Sequence, residues 1–224
     1  MSRKALTERD LREVPAYSIV EAAGYLRLPK STLRAWLLGQ QTFRAVIDIA
    51  DRQGRQMSFI NLVEAFVLSA IRRRHSVPLP KVRKAVEYLR RTFKTQRPLA
   101  DEEFATDGVH LFVEKFGALI GATQEGQVQL REVILDRLKY VLRDPKGVPE
   151  KIVLFPVHGA AKHGDVVIDP RLSFGRPVID GVGVRTSILT QRFKAGDSID
   201  ELAREFNAAP DAVQNAIRCE LLAA

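Results

Sequence analysis

Between Ser18 and Gly39, apolar residues recur at helical spacing in two short stretches separated by a break. Ser18 and Glu21 form an S-x-x-E capping box ahead of Ile19, Ala22, Ala23 and Leu26, which share one face. Pro29 cannot continue that helix. Ser31 or Thr32 opens a second helix whose buried side is Leu33, Trp36 and Leu37, with Gly39 suited to its end. Its outward face carries Lys30, Ser31, Thr32, Arg34 and Ala35. Two short helices with a tight turn and a cationic outer face suit a major groove. The same pattern also fits an ordinary helical hairpin inside a core.

Residues 43–49 alternate apolar and other positions, a turn follows at 51–54, and residues 56–59 return. This predicts a two-stranded wing with Arg52 and Arg55 at its tip, placed to lie along a phosphate backbone. A helix is predicted over 60–74, buried through Val63, Phe66, Val67, Ala70 and Ile71 and ending in Arg72, Arg73 and Arg74. After HSVPLP, a helix over 81–93 buries Val82, Ala85, Val86, Leu89 and Phe93. Its outer side shows Lys81, Arg83, Lys84, Arg90, Arg91 and Lys94, either a solvated face or weaker phosphate anchors. Residues 96–108 turn acidic and polar and read as a linker. Beyond them the pattern predicts a hairpin pairing 109–113 with 118–120, a helix over 130–142, and strands at 152–157 and 166–168.

Residues 198–221 repeat the opening hairpin at a shift of 180 positions. Ser198, Ile199, Glu201 and Ala203 stand where Ser18, Ile19, Glu21 and Ala23 stand, and Phe206, Val213 and Ile217 match Leu26, Leu33 and Leu37. The outer face differs, with Pro210, Asp211, Ala212, Gln214 and Asn215 replacing Lys30, Ser31, Thr32, Arg34 and Ala35. An acid facing phosphate is unfavourable, so the leading copy is the expected DNA reader.

Charge follows the same division. Residues 1–99 hold 20 Lys/Arg against 8 Asp/Glu, a net of +12, whereas residues 100–224 hold 15 against 19, a net of −4. A basic front joined to an acidic rear favours a polyanion-binding unit carrying a partner-binding unit. No apolar run approaches the roughly 18 residues of a membrane span, and the charged N-terminus lacks a secretory core, so a cytoplasmic protein is expected. The lone Cys219 excludes an intrachain disulfide framework and is expected as a buried thiol. The four histidines (His75, His110, His158 and His163) are scattered, and no nucleophile motif or phosphate-binding loop appears. Asp169 and Asp180 read as turn formers beside Pro170 and Gly181 rather than as a magnesium cluster with Asp165. Catalytic, metal and cofactor sites are therefore expected to be none.

SIVEAAGYLRLPKSTLRAW, the wing and the two following helices resemble the MerR-type winged helix-turn-helix over about residues 14–95. Further on, Ile168, Asp169, Pro170, Gly175, Pro177, Ile179, Gly181, Ala195, Gly196, Ser198, Leu202 and Ala203 match a small antitoxin-associated domain. That domain has the pattern I-D-P-x-x-x-x-G-x-P-x-I-x-G followed by A-G-x-S-x-x-x-L-A, from which residues 183–186 depart. Head, middle and tail together resemble VapB-like antitoxins. The implied function is neutralisation of a PIN-like ribonuclease toxin and repression of a shared operon. The alternative is a stand-alone MerR-like regulator with a ligand- or partner-sensing C-terminal domain, and a nucleic-acid-processing enzyme using the aspartates is the rival from another class.

The expected architecture is mainly α with small β elements. It comprises a winged helix-turn-helix domain over 1–97, a small α+β linking segment over 98–161 and a helix-turn-helix-like helical domain over 162–224. Lys30, Ser31, Thr32 and Arg34 are expected to enter the DNA, with Arg52 and Arg55 on flanking phosphates. Arg171, Arg176 and Arg185 are expected toward toxin carboxylates, which arginine pairs bidentately. The expected partners are double-stranded operator DNA, the toxin, and a second copy in a homodimer, with no membrane contact.

Overall fold

The computed structural model describes residues 10–40, 43–74, 79–155 and 165–223. Strand β1 (Tyr17–Ser18) leads into α1 (Ile19–Leu26) and then α2 (Lys30–Leu38). Strand β2 (Gln56–Met57) pairs antiparallel with β1, setting Ser18 opposite Gln56 and Tyr17 opposite Met57. The long α3 (Phe59–Arg74) and α4 (Leu79–Phe93) follow. A wide helical turn (Phe104–Gly108) opens α5 (Val109–Ile120), and α6 (Gln124–Leu138) packs beside it. Strands β3 (Val141–Arg143), β4 (Pro149–Phe155), β5 (Val166–Ile168) and β6 (Val178–Ile179) form one antiparallel sheet in that order. Three helices close the chain: α7 (Thr186–Lys194), α8 (Ile199–Glu205) and α9 (Pro210–Ala223). The fold is mainly helical with small sheets and begins with a helix-turn-helix domain.

Helix α3 is the axis of the main core. It was expected to bury one stripe, yet every residue from Phe59 to Ile71 is buried, as befits a helix surrounded by other elements. Of its polar members, Asn61 and Ser69 are satisfied internally, whereas Glu64 Oε1 finds no hydrogen-bond partner among the described residues. Asn61 Oδ1 accepts from the Ala50 and Ser58 amides at 2.8 and 3.2 Å, and its Nδ2 donates to Asp48 O at 2.8 Å. Arg137 of α6 lies 3.7 Å over the Phe66 ring and donates to Ser69 Oγ at 3.0 Å.

Three sequence expectations fail in the middle of the chain, and the first is the helix expected over 130–142, which ends at Leu138 so that Val141 and Leu142 lie in β3. Residues 109–120 form α5, not a hairpin, because Val109, Phe112, Val113 and Phe116 are buried at helical spacing. Phe112 stacks on Phe116 at 5.5 Å and meets Phe104 edge-on at 6.1 Å. The expected linker at 96–108 is itself packed, with Leu99, Ala100 and Phe104 at most 1% exposed. These residues join α1, α2 and α3 in one continuous core that reaches Ile168.

The sheet alternates as a two-faced layer. Ile152 and Ile168 face the main core, and Val153, Val167 and Val178 the opposite side. Val166 and Ile179 pack with Leu189, Leu202, Val213, Ala216 and Ile217 in a second, C-terminal core. Cys219 lies in that core, where burial pushes its thiol up to about 11. No described helix is long and apolar enough to cross a membrane.

Candidate nucleic-acid interface

The turn of the leading hairpin is built by one left-handed residue. Arg27 at φ 52° ends α1, and the Leu28 amide turns back to Ala23 O at 2.9 Å. Pro29 then precedes α2 without offering a side-chain cap, so the first amides of α2 present partial positive charge outward. Leu33, Trp36 and Leu37 are fully buried, while Lys30, Ser31 and Arg34 are exposed on one side and Thr32 is half-buried. Ala35, expected with them, packs inward instead, at 9% exposure.

The wing is shorter than its sequence suggested. Residues 43–49 do not form a strand. The Val46 and Ile47 amides both donate to Trp36 O, at 2.7 and 3.1 Å, which draws this segment under the end of α2. What remains is the tip. Asp51 and Gln56 exchange two backbone bonds of 3.0 Å, and Asp51 Oδ1 accepts from the Gln53 and Gly54 amides at 3.0 and 2.9 Å. Arg52 and Arg55 stand exposed on this turn, Arg55 in the left-handed region at φ 54°. Because Gln56 pairs with Ser18, the cap of α1, the turn is tied directly to the hairpin that carries α2.

Other cationic candidates divide. Lys84 is exposed and Lys81 half-buried on α4. Arg90 is drawn inward, donating to Val46 O at 2.9 Å and lying 3.5 Å from Asp48, so it braces the segment behind α2. Arg83 lies 5.4 Å over the Phe43 ring. The side chains of residues 72–74, together with His75, His158 and His163, fall outside the described residues. Among the described residues, no three His, Cys, Asp or Glu side chains cluster to hold a metal ion.

The trailing copy reproduces the hook. Asn207 is left-handed at φ 49°, 180 positions after Arg27, and the Ala208 amide turns back to Ala203 O at 2.9 Å. Its second helix, however, packs against more of the chain than α2 does. α9 packs against α1, α7, α8 and the sheet, with Ala212, Val213, Asn215, Ala216 and Ile217 all buried. Of the positions that correspond to Lys30, Ser31, Thr32 and Arg34, Pro210 and Asp211 are exposed, Gln214 is half-buried and Ala212 is buried, so this face is partly covered and carries no cation.

Of the three arginines expected toward a toxin, two are engaged within the chain. Arg171 pairs with Asp169 at 2.7 Å and Glu150 at 2.5 Å. Arg176 reaches Glu21 of α1 at 3.0 Å and lies 5.9 Å from the Tyr17 ring. Arg185, before α7, is exposed and makes no ion pair among the described residues. A residue that pattern reading passed over is Phe174, 91% exposed on a turn where Ser173, Phe174 and Gly175 are successively left-handed. Gly175 is required there, since a Cβ would stand 2.1 Å from the Tyr17 hydroxyl. An aromatic residue in a turn with no periodic apolar neighbours was the available signal.

These features define a protein with two helix-turn-helix hooks, the leading one with a cationic exposed face and the trailing one without. Comparison with known proteins supports the leading one. Residues 15–86 match the family described as "Putative DNA-binding HTH domain", and residues 166–218 match "Protein of unknown function (DUF433)". The chain is 29% identical over 239 residues to "Putative antitoxin VapB45" of Mycobacterium tuberculosis, covering 94% of this chain and 96% of that one. It is 24% identical to "Uncharacterized protein Rv2308" of the same organism, over 92% and 89% of the two chains. The crystal structure of Rv2018 from Mycobacterium tuberculosis superposes with a TM-score of 0.73 at 26% identity, covering 91% of this chain and 97% of that one.

Proposed function

We propose that this chain is the DNA-binding antitoxin of a type II toxin–antitoxin pair, a non-catalytic protein that blocks a PIN-like ribonuclease and represses its own operon as a homodimer. The observation that carries the reading is the exposure of Lys30, Ser31 and Arg34 on α2, where the equivalent positions of α9 hold exposed Pro210 and Asp211 and half-buried Gln214 and so offer no cation. Lys30, Ser31, Thr32 and Arg34 enter the major groove, and Arg34 pairs with a guanine edge. Arg52 and Arg55 hold the flanking backbone in the manner of a MerR-type wing. The antitoxin name of the relative that matches along nearly the whole chain supports the toxin half of the reading.

On the toxin side, the C-terminal unit offers Phe174 as an aromatic anchor beside the exposed Leu172. Arg185 supplies a free cation, while Arg171 and Arg176 fix the anchor's turn through their internal pairs. Co-expression with the nuclease encoded beside it tests the pairing. The expected result is co-purification and silenced RNA cleavage, with Phe174→Ala weakening the complex at least tenfold and leaving operator affinity unchanged. A chain that footprints its own upstream region but neither retains nor silences the nuclease is a stand-alone regulator.

A further inference from the structure

A cleft of about 580 Å³ separates α1 and the start of α2 from α7 and the end of α9. Four cationic side chains line it, Lys30, Arg176, Arg185 and Lys194, against two carboxylates, Glu21 and Glu220. Arg176 and Glu21 are paired with each other, and Glu220 accepts from Thr186 Oγ1 at 2.7 Å. Lys30, Arg185 and Lys194 are exposed and make no ion pair among the described residues. Neither α2, preceded by Pro29, nor α7, preceded by Arg185, has a side-chain cap at its start. The wall also holds Thr190, 3% exposed, whose hydroxyl finds no hydrogen-bond partner among the described residues. A buried hydroxyl without a partner is uncommon in a folded chain, and here it borders a space whose free charge is positive.

We infer that this cleft is a DNA phosphate subsite shared by the two ends of the chain: Lys30 from the reader and Arg185 and Lys194 from the C-terminal unit straddle one strand of the duplex. The inference rests on α2 being the DNA reader. Lys30 is the first residue of α2, so a phosphate that approaches the start of that helix enters the space faced by Arg185 and Lys194. The C-terminal unit then contributes to operator affinity directly, without reading any base.

The test uses the full chain and a labelled operator duplex, with affinity measured from about 50 to 300 mM salt. Each phosphate contact contributes roughly 0.9 to the slope of log K against log salt. Arg185→Ala with Lys194→Ala is expected to lower that slope by about 1.8 and to leave base preference intact. Lys139→Ala with Lys146→Ala removes the same charge outside the cleft and is expected to leave the slope near the parent value. Thr190→Val, close to isosteric, is expected to weaken duplex binding with no loss of thermal stability.

Three outcomes overturn the inference. One is a slope unmoved by the cleft pair, and another is an equal fall for both lysine-containing pairs. The third is a cleft pair that abolishes nuclease co-purification while DNA binding stands, which assigns the cleft to an acidic protein segment. Arg34→Ala, run in parallel, separates the two readings. If Arg34→Ala leaves base preference unchanged, the reader assignment itself fails; if it relaxes base preference while the cleft pair is silent, only the shared subsite fails.

Discussion

The two helix-turn-helix copies share caps, turn and buried positions, and differ in what surrounds their second helices. In the leading copy, α2 turns Leu33, Trp36 and Leu37 inward and leaves Lys30, Ser31 and Arg34 to solvent. In the trailing copy, α9 is the pillar of its own core and packs on α1 of the first. A hook of this geometry is thus a way to join two short helices, and what its outer face can bind is set by the residues that face carries. Charge separates the copies more sharply than burial does, since Asp211 is exposed where Ser31 is exposed, and Pro210 and Gln214 stand where Lys30 and Arg34 stand.

The strongest test removes matched core residues. Leu37→Ala and Ile217→Ala occupy equivalent positions and should each cost about 2–5 kcal/mol in urea unfolding. Leu37→Ala should also depress operator binding at temperatures where the chain stays folded, because it loosens the seat of α2. A marked loss of base preference from Ile217→Ala alone would break the comparison.

Next is a buried carboxyl of the first core. Glu64 of α3 is 1% exposed, and desolvation holds its carboxyl up at about 8 despite Arg97 and Arg90 nearby, with Asp48 adding to the rise and Asn61 opposing it. Its folded-state value lies above the ordinary 4.5, so the folded chain holds a proton that the unfolded chain releases. The resulting penalty is absent below about 4.5, grows as pH rises toward 8, and is constant above that. Glu64→Gln should therefore raise stability by ~3 kcal/mol at pH 7 and do nothing at pH 4. A gain that does not vary with pH would mean that packing, not ionisation, governs this site.

Function gives a smaller contrast. Arg34→Ala should cost about 1–3 kcal/mol at one base position and relax preference there, whereas Gln214→Ala, 180 positions on, should leave DNA binding untouched. Competition with single-base operator variants measures both. Equal loss on every sequence would reduce Arg34 to a phosphate contact.

Much of this architecture was legible because local chemistry and tertiary structure agree at the caps. Both S-x-x-E boxes form, and both turns fall 180 positions apart. The misreadings arise where distant residues decide. Glu114-Lys115-Phe116-Gly117 looks like a turn, yet Gly117 sits inside α5 because Gln127 of α6 comes within 2.7 Å of where its Cβ would be. The alternation of residues 43–49 suggests a strand, but their backbone is satisfied by Trp36 O and by Asn61 of α3. Burial of α9 was hidden for the same reason, since its partners α1, β4 and β5 lie far away in sequence.

The smallest expected difference concerns the two caps. Ser18→Ala and Ser198→Ala each delete a hydroxyl that accepts the amide of Glu21 or Glu201 at 3.2 Å, a change worth about 1 kcal/mol. The two glutamates are not left in the same state. Glu21 retains Arg176 at 3.0 Å and so stays fixed between the reader and the C-terminal unit. Glu201 loses one of its two bonds from Ser198, which together hold its carboxyl below the usual range. A depressed carboxylate stabilises the fold above its ordinary value of 4.5 and ceases to as pH falls through its folded value. Ser198→Ala should therefore cost less in acid than at neutral pH. A cost of Ser198→Ala in thermal unfolding that does not change with pH would show that the bonds from Ser198 do not hold the Glu201 carboxyl down.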